Sequence, residues 1–182
     1  MSFEKIYKNF ETEAKFWFSE LEKYNDNPFH EDSFDNNWTL SKLYFEITYL
    51  CEAFYINSIE EGIKSNNTKG KLNFRGLLFQ INKDIAEKDI KQIRKEYNKK
   101  SDIIKVADAK GKLIICMKKM HQLLGKIENV DPKIKINHPI YGYMNLKTWY
   151  KLPEIHFKKA DKLKVKLENY IVSKTGTKSN QN

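Results

Sequence analysis

Apolar residues recur at intervals of three and four in four separate stretches of the chain. This spacing places the apolar side chains on one face of an α-helix, so each stretch predicts an amphipathic helix. In the first stretch, from Phe3 to Tyr24, the apolar stripe covers about six turns of helix. The predicted helices span residues 3–24, 40–54, 106–127 and 149–170.

The connection between the second and third predicted helices is too long for a bare loop, because structureless loops of this length are uncommon within domains. It contains Ile90, Ile93 and Tyr97 at helical spacing, which predicts one short helix over residues 89–99. No stretch alternates polar and apolar residues for long enough to indicate a strand. The pattern favours an all-α four-helix bundle with a long crossover segment between helices two and three.

The composition indicates one folded domain. The chain has 182 residues, of which 40% are hydrophobic and 13% aromatic, enough apolar material for a single core. We assign residues 1–173 to this domain and expect the polar tail, residues 174–182, to be disordered. The sequence has no apolar run of membrane-spanning length and no signal-peptide core, so no transmembrane segment and a cytoplasmic location are expected.

The net charge of +9 raises the question of a polyanionic partner. Only two of the 33 basic residues, Arg75 and Arg94, are arginines. Specific recognition of phosphates and base edges favours the planar guanidinium group, so a surface of solvated lysines is the preferred interpretation of this basic protein. Binding of nucleic acid or of a membrane surface through residues 64–112 is the alternative.

His156 lies near the middle of the apolar stripe of the fourth predicted helix, between Leu152 and Ala160. At about 100° per residue, it should face the interior of the bundle. Bundle interiors are where side chains on facing helices form metal and ligand sites. A buried imidazole also needs hydrogen-bonding partners, so its position alone is compatible with a structural role as well.

Two segments resemble the DinB-like (YfiT-like) superfamily of helical bundles. Residues 37–50, NWTLSKLYFEITYL, resemble the start of that family's second helix, with an inward-facing position eight residues after the tryptophan. The second segment resembles the signature HP.FG.L...EW......H...H, and the matching residues are His138, Pro139, Tyr141, Gly142, Leu146, Trp149 and His156. The resemblance implies a four-helix bundle, often dimeric, some of whose members are metal-dependent thiol transferases.

The usual metal site of that family takes three histidines, one from helix two and two, four residues apart, from helix four. His156 matches the first histidine of helix four, Ala160 occupies the second position, and Glu46 occupies the helix-two position to within one residue of register. A catalytic site needs about three protein ligands, whereas Glu46 and His156 supply two. The resemblance therefore implies a degenerate metal site, with no cofactor or at most a weakly bound divalent ion such as Zn, Ni or Mn.

The sequence leaves the partners of Glu46 and His156 open. The two side chains could hydrogen-bond to each other across the bundle, since buried polar groups need partners. Alternatively, His156 meets another group, such as a tyrosine hydroxyl or an ordered water, while Glu46 reaches solvent. His121, His138 and Trp149 are further candidates for the lining of a pocket between the helices.

Three functions are compatible with these features. The preferred hypothesis is a protein that binds a small molecule in the bundle cavity around Glu46 and His156, without a metal and without catalysis. A divergent metal-dependent thiol transferase, similar to bacillithiol transferases, is the first alternative. A lysine-rich binder of nucleic acid or membrane surfaces is the second. The sequence does not identify the ligand, the pathway or the oligomeric state, and a homodimer is compatible with the bundle.

Overall fold

A computed structural model describes residues 1–30, 38–97 and 103–178 of the chain. These residues are mostly helical, which confirms the predicted all-α class. The first helices are α1 (Phe3–Glu20), α2 (Asp26–His30), α3 (Leu40–Leu50) and α4 (Asn57–Ser65), with a 3₁₀ turn at Leu21–Lys23 and a π-helical turn at Cys51–Ile56. They are followed by α5 (Phe74–Asn82), α6 (Glu87–Tyr97), α7 (Val106–Ile127), β1 (Lys135–His138), β2 (Gly142–Asn145) and α8 (Leu146–Lys178).

The main core lies among four helices. Both α1 and α3 pack against α7 and α8. The apolar stripe predicted for the first helix supplies one side of this core, and its members Ile6, Phe10, Ala14 and Trp17 have no exposed surface. Burial of a large apolar side chain contributes about 1.5–3 kcal/mol relative to leaving it in water, so the stripe fixes the orientation of α1.

Side-chain caps fix where α1 and α3 begin. The Ser2 hydroxyl accepts a hydrogen bond from the Lys5 amide at 3.2 Å, and the Thr39 hydroxyl accepts one from the Lys42 amide at 3.0 Å. The helix predicted over residues 40–54 is longer than expected, because it continues through the π-helical turn into α4. It ends at Asn66, whose φ of 49° lies in the left-handed region.

The connection between α4 and α7 contains two helices, although the sequence predicted one. The predicted helix over residues 89–99 corresponds to α6, which buries Ile90 and Ile93, and residues 98–102 lie outside the described part of the chain. Helix α5 was not predicted, because it is short and only Gly76 and Phe79 of this helix are buried. Its remaining apolar residues therefore do not form an inward stripe.

The hairpin of β1 and β2 was not predicted either, because strands of four residues are too short to show a clear alternation. The antiparallel register pairs Ile136 with Met144 and His138 with Gly142. Gly142 has a φ of 75°, and a Cβ at this position would lie 2.8 Å from the carbonyl oxygen of Lys71. This close approach brings the hairpin against the start of the α4–α7 connection.

The last helix, α8, is longer than predicted, since it continues through Pro153 and extends to Lys178. Residues 174–178 of the tail that we expected to be disordered are therefore helical, and residues 179–182 lie outside the described part of the chain. None of the helices in the described ranges is long and apolar enough to cross a membrane.

Cys51 of the π-helical turn and Cys116 of α7 are free and buried. The thiol of Cys116 donates to the carbonyl oxygen of Thr48 at 3.5 Å. A hydrogen bond between the two thiols and their burial raise the pKa of Cys51 well above its usual value. The two thiols therefore serve as apolar packing groups between α3, the π-helical turn and α7.

Candidate functional site

Glu46 on α3 and His156 on α8 face each other in the interior, with side chains that are 1% and 2% exposed. Nε2 of His156 lies 4.0 Å from Oε1 of Glu46. This distance is too long for a hydrogen bond, so the direct pair that was one of the sequence alternatives does not form. The two groups share a site and interact only electrostatically.

The partner of Glu46 is Arg94, on α6. Nη2 of Arg94 donates to Oε1 of Glu46 at 2.8 Å, and Nε donates to Oε2, so the contact has two points. The guanidinium group also lies over the ring of Trp38, 4.3 Å from its centroid. Because both carboxylate oxygens are engaged, the charge of Glu46 is compensated inside the protein and does not reach solvent.

The partner of His156 is Tyr55, as in the second sequence alternative. The Tyr55 hydroxyl oxygen and Nδ1 of His156 are 3.3 Å apart. The negative charge of Glu46 faces Nε2 and favours the tautomer with its proton on that nitrogen, so Tyr55 then donates to Nδ1. Tyr55 belongs to the π-helical turn, and such turns occur frequently at functional sites.

Burial determines the ionisation of the site. It lowers the pKa of His156 to about 3, and the positive charge of Arg94 acts in the same direction. Burial raises the pKa of Glu46, while the hydrogen bonds and the charge of Arg94 oppose that effect. The pKa of Tyr55 is also raised by burial, well above its usual value. At neutral pH the imidazole is therefore neutral, and the contact with Arg94 opposes the effect of burial on Glu46.

A cavity of about 450 Å³ adjoins Glu46, Arg94 and His156. These three residues supply its buried polar groups. The rest of the lining is an apolar wall and a charged border, formed by Trp38, Leu43, Ile90, Ala160 and Leu163 and by Glu87, Lys91, Lys159, Lys162 and Lys166. Five cations and two carboxylates therefore line the cavity, which gives it a positive potential.

The lysines at the border differ in their partners. Lys91 pairs with Glu87 at 3.3 Å, and Lys159 pairs with Asp84 at 2.8 Å. Within the described ranges, Lys162 and Lys166 have no carboxylate at ion-pair distance. These two lysines leave an uncompensated positive charge on the α8 side of the cavity.

The donor set does not fit a three-histidine metal site. Ala160, one helical turn after His156, contributes only a methyl group to the cavity. Arg94 engages both oxygens of Glu46, which leaves the imidazole as the ready donor. Across residues 1–30, 38–97 and 103–178, no group of three His, Cys, Asp or Glu side chains is placed to hold an ion.

The other predicted pocket residues do not line this cavity. His121 is exposed on α7, where its ring lies 5.1 Å from that of Tyr7. His138 and Trp149 are packed beneath the hairpin instead, with ring centroids 5.1 Å apart. Nε1 of Trp149 donates to the carbonyl oxygen of Ile136 at 3.0 Å, so its indole supports β1.

His138 is held by the turn that follows it. Its Nδ1 accepts a hydrogen bond from the Ile140 amide at 3.2 Å, and its ring stacks on Tyr141 with a centroid distance of 4.4 Å. Burial lowers the pKa of His138 to about 3. This histidine therefore shapes the hairpin, which agrees with its position before a proline in the sequence.

Three residues of the site were not predicted from the sequence: Arg94, Tyr55 and Trp38. Arg94 is 48 residues from Glu46 along the chain, so helical spacing could not connect them. One signal was available: in a chain whose basic residues are nearly all lysine, an arginine indicates a position that needs a rigid two-point contact. The other arginine, Arg75, also pairs with a buried carboxylate, that of Asp89.

No family model, curated protein or solved structure matches the chain. The DinB-like resemblance therefore stays a prediction. The geometry and charge of the cavity are the basis on which a function is assigned.

Proposed function

We propose that the chain is a divergent DinB-like four-helix bundle protein that binds a small organic anion in the cavity between α3, α6 and α8, without a catalytic metal. The observation that carries this proposal is the positive lining of a cavity of about 450 Å³ whose buried carboxylate is already neutralised by Arg94. A volume of this size falls in the usual range for small-molecule sites, about 300–1,000 Å³.

The charges of the cavity favour an anion over a cation or a neutral molecule. Lys162 and Lys166 can pair with a carboxylate or phosphate at the border, because neither has a carboxylate partner in the described ranges. The apolar wall, with Trp38 and Leu43, suits the organic part of the ligand. The Nε2 proton of His156 offers a further hydrogen-bond donor, on an imidazole that burial keeps neutral.

Two features support the DinB-like architecture. The packing of α1 and α3 against both α7 and α8 is that expected of four bundle helices with a crossover segment between the second and third. Glu46 and His156 lie opposite each other, 4.0 Å apart, where the resemblance places metal ligands on helices two and four.

The same geometry weighs against the transferase alternative. A divalent ion could use Glu46 only by displacing Arg94, which would cost the two-point contact between the guanidinium group and the buried carboxylate. A metal that activates a thiol also needs about three protein ligands, and Ala160 supplies none. Binding without catalysis is therefore the function that the site supports best.

Anion binding is tested by titrating the full chain with aromatic and aliphatic monocarboxylates, dicarboxylates and phosphate monoesters in a calorimeter. Replacing both Lys162 and Lys166 with glutamine should weaken the best binder about tenfold, through loss of two charge-assisted contacts. The matched control replaces Lys118 and Lys133, which are exposed and outside the cavity, with glutamine. No binding by any anion, or equal affinity in both double variants, would contradict the proposal.

Elemental analysis of the purified protein tests the metal-free part. Stoichiometric zinc, nickel or manganese that is lost in His156→Ala would favour the transferase instead.

The DinB-like register has a separate test, in which Ala160→His is combined with Arg94→Met and zinc binding is measured. The second substitution frees the carboxylate, so Glu46, His156 and the new imidazole should hold one zinc ion per chain. The control places the imidazole two residues earlier with Lys158→His, at an exposed position about 200° around the helix and outside the cavity lining. Equal zinc affinity in the two variants, or none in either, would contradict the register.

A further inference from the structure

Helix α5 presents an apolar face to solvent. Phe74 and Ile81 are each 74% exposed, Leu77 is 51% exposed and Leu78 is 42% exposed. The last three follow Phe74 by three, four and seven residues in the sequence, a spacing that places all four side by side along the helix. Exposed apolar patches of this kind mark interaction sites more often than isolated exposed residues do. We refer to these four residues as the α5 face.

The outward orientation of the α5 face is fixed by the packing of the opposite side. The ring of Phe79 stacks on Tyr141 with a centroid distance of 4.9 Å, and a Cβ on Gly76 would lie 2.2 Å from the carbonyl oxygen of Tyr141. Asn73 caps the helix by accepting from the Gly76 amide at 2.9 Å and donating to the carbonyl oxygen of Ile140 at 2.8 Å. Because of this anchoring, the helix cannot rotate to bury its apolar face.

Basic residues border the α5 face. Residues 66–83 contain no aspartate or glutamate, and their basic residues are Lys69, Lys71, Arg75 and Lys83. Arg75 is engaged by Asp89, whereas the lysines are exposed. The chain around α5 therefore carries positive charge without compensating acids of its own.

The positive border continues onto α8. Lys83 lines a hollow of about 200 Å³ together with Lys147, Lys151 and Phe79, at the C-terminal end of α5. The first acid after this segment, Asp84, is paired with Lys159 at 2.8 Å. An apolar strip with cations at both ends is the arrangement found in helices that lie in the interface of anionic membranes.

We propose that the α5 face docks onto the surface of a bilayer that contains anionic lipids, with Phe74 and Ile81 inserted at the boundary between headgroups and acyl chains. Lys71 and Lys83 then contact lipid phosphates on either side. This surface lies apart from the cavity lining, so the inference does not depend on the proposed ligand binding.

Charge complementarity favours a membrane over the other occupants of such a face. A second copy of the chain, docked through the same face, would bring two basic borders together and add repulsion. Nucleic acid would pair with the lysines but would leave the apolar strip without a partner. An anionic bilayer satisfies both parts of the surface.

The test is co-sedimentation of the full chain with phosphatidylcholine vesicles, with and without phosphatidylserine. Binding should require phosphatidylserine and weaken at high salt. Replacing both Phe74 and Ile81 with serine should reduce the partition coefficient at least about tenfold, and Lys71→Gln with Lys83→Gln should reduce it about fivefold for each lysine. The matched control replaces Ile114 and Val165, which are 51% and 43% exposed on other helices, with serine.

Circular dichroism should show the same helix content in all variants, because every substituted side chain is exposed. Vesicle binding that is equal in the α5 variant and the control overturns the proposal. The proposal is also overturned if the chain does not bind vesicles and Phe74 and Ile81 are instead required for a dimer, or for salt-sensitive binding to DNA or RNA. Each of those results would assign the face to another occupant.

Discussion

Two arginine–carboxylate pairs with buried carboxylates involve α6, and they differ in a way that separates a ligand site from a structural contact. Each pair lies near a buried histidine whose pKa is lowered to about 3 and a buried tyrosine. The members of the first group are Glu46, Arg94, His156 and Tyr55, and those of the second are Asp89, Arg75, His138 and Tyr141.

The hydroxyl group of the tyrosine has a different partner in each group. In the second, Tyr141 donates to Oδ2 of Asp89 at 2.9 Å while Arg75 bonds the other oxygen, so the carboxylate has two independent donors. In the first, Tyr55 bonds the histidine, and Arg94 is the side chain that engages Glu46. The first carboxylate therefore depends on one residue.

The space beside each group differs as well. The first adjoins the cavity of about 450 Å³, whereas the hollow at Arg75, Asp89 and Tyr141 measures about 160 Å³, below the usual range for organic ligands. The same residue types thus form a structural contact where the carboxylate has two independent donors and the adjoining space is small. They form a candidate binding site where the imidazole borders a positively charged cavity.

The largest expected effect comes from Arg94→Ala. Removal of the partner of a fully buried carboxylate should lower the free energy of unfolding by about 3–5 kcal/mol, measured by urea denaturation at pH 7. The double variant Glu46→Leu with Arg94→Met removes both charges and should lose much less. A loss below about 1 kcal/mol in Arg94→Ala would mean that Glu46 does not depend on this one residue.

The pH dependence of stability should be similar for the two groups. A histidine in an unfolded chain has a pKa of about 6.5, so below that pH the unfolded state binds a proton that the folded state, with a pKa of about 3, does not. The contribution of each neutral histidine to the free energy of unfolding should therefore be fully present above about pH 6.5. It should fall towards pH 3, by about 1.4 kcal/mol per pH unit for each histidine.

Urea denaturation between pH 7 and pH 4, interpreted by the linkage of proton binding to folding, checks this. His156→Gln and His138→Gln should each flatten the curve by one histidine's share. His121→Gln, at an exposed position, is the control that should leave the slope unchanged. A slope unchanged in His156→Gln would contradict the burial of a neutral imidazole.

Removal of the tyrosine hydroxyl groups should affect the second group more than the first. Tyr141→Phe takes a donor from an ionised carboxylate and should cost about 2 kcal/mol, whereas Tyr55→Phe takes one from a neutral imidazole and should cost about 1 kcal/mol. Thermal or urea unfolding of both variants gives the order. The reverse order would show that Tyr55, rather than Arg94, is the main support of the first group.

The smallest effect is expected for Arg75→Ala. Its side chain is 39% exposed, so solvent screens its contact with Asp89, and Tyr141 still bonds the carboxylate. The loss in unfolding free energy should be about 1 kcal/mol or less. A loss as large as that of Arg94→Ala would remove the distinction between the two groups.

Helical spacing was sufficient to predict part of this site. The stripe of the last helix places His156 among apolar residues, and the DinB-like resemblance implies an inward-facing position for Glu46 on the second helix. Both residues are buried in the structure. The position of His156 follows from local periodicity, so no knowledge of tertiary packing was needed for it, whereas Glu46 was predicted from the resemblance alone.

The remaining features depend on packing between distant segments. Arg94 reaches Glu46 across 48 residues of chain, and α5 turns its apolar residues outward because Gly76 and Phe79 dock on Tyr141. The hairpin likewise depends on the close approach of Gly142 to Lys71. Spacing along one segment contains no information about which other segment will pack against it.

The buried thiols provide the protein with an internal reporter of opening. Cys51 and Cys116 are 0% and 1% exposed, so a thiol reagent can reach them only when α7 separates from the π-helical turn. The rate of their alkylation under native conditions is then governed by the opening equilibrium of the core. Measuring the extent of labelling at successive times would therefore report how often the core opens, without denaturant and without any engineered probe.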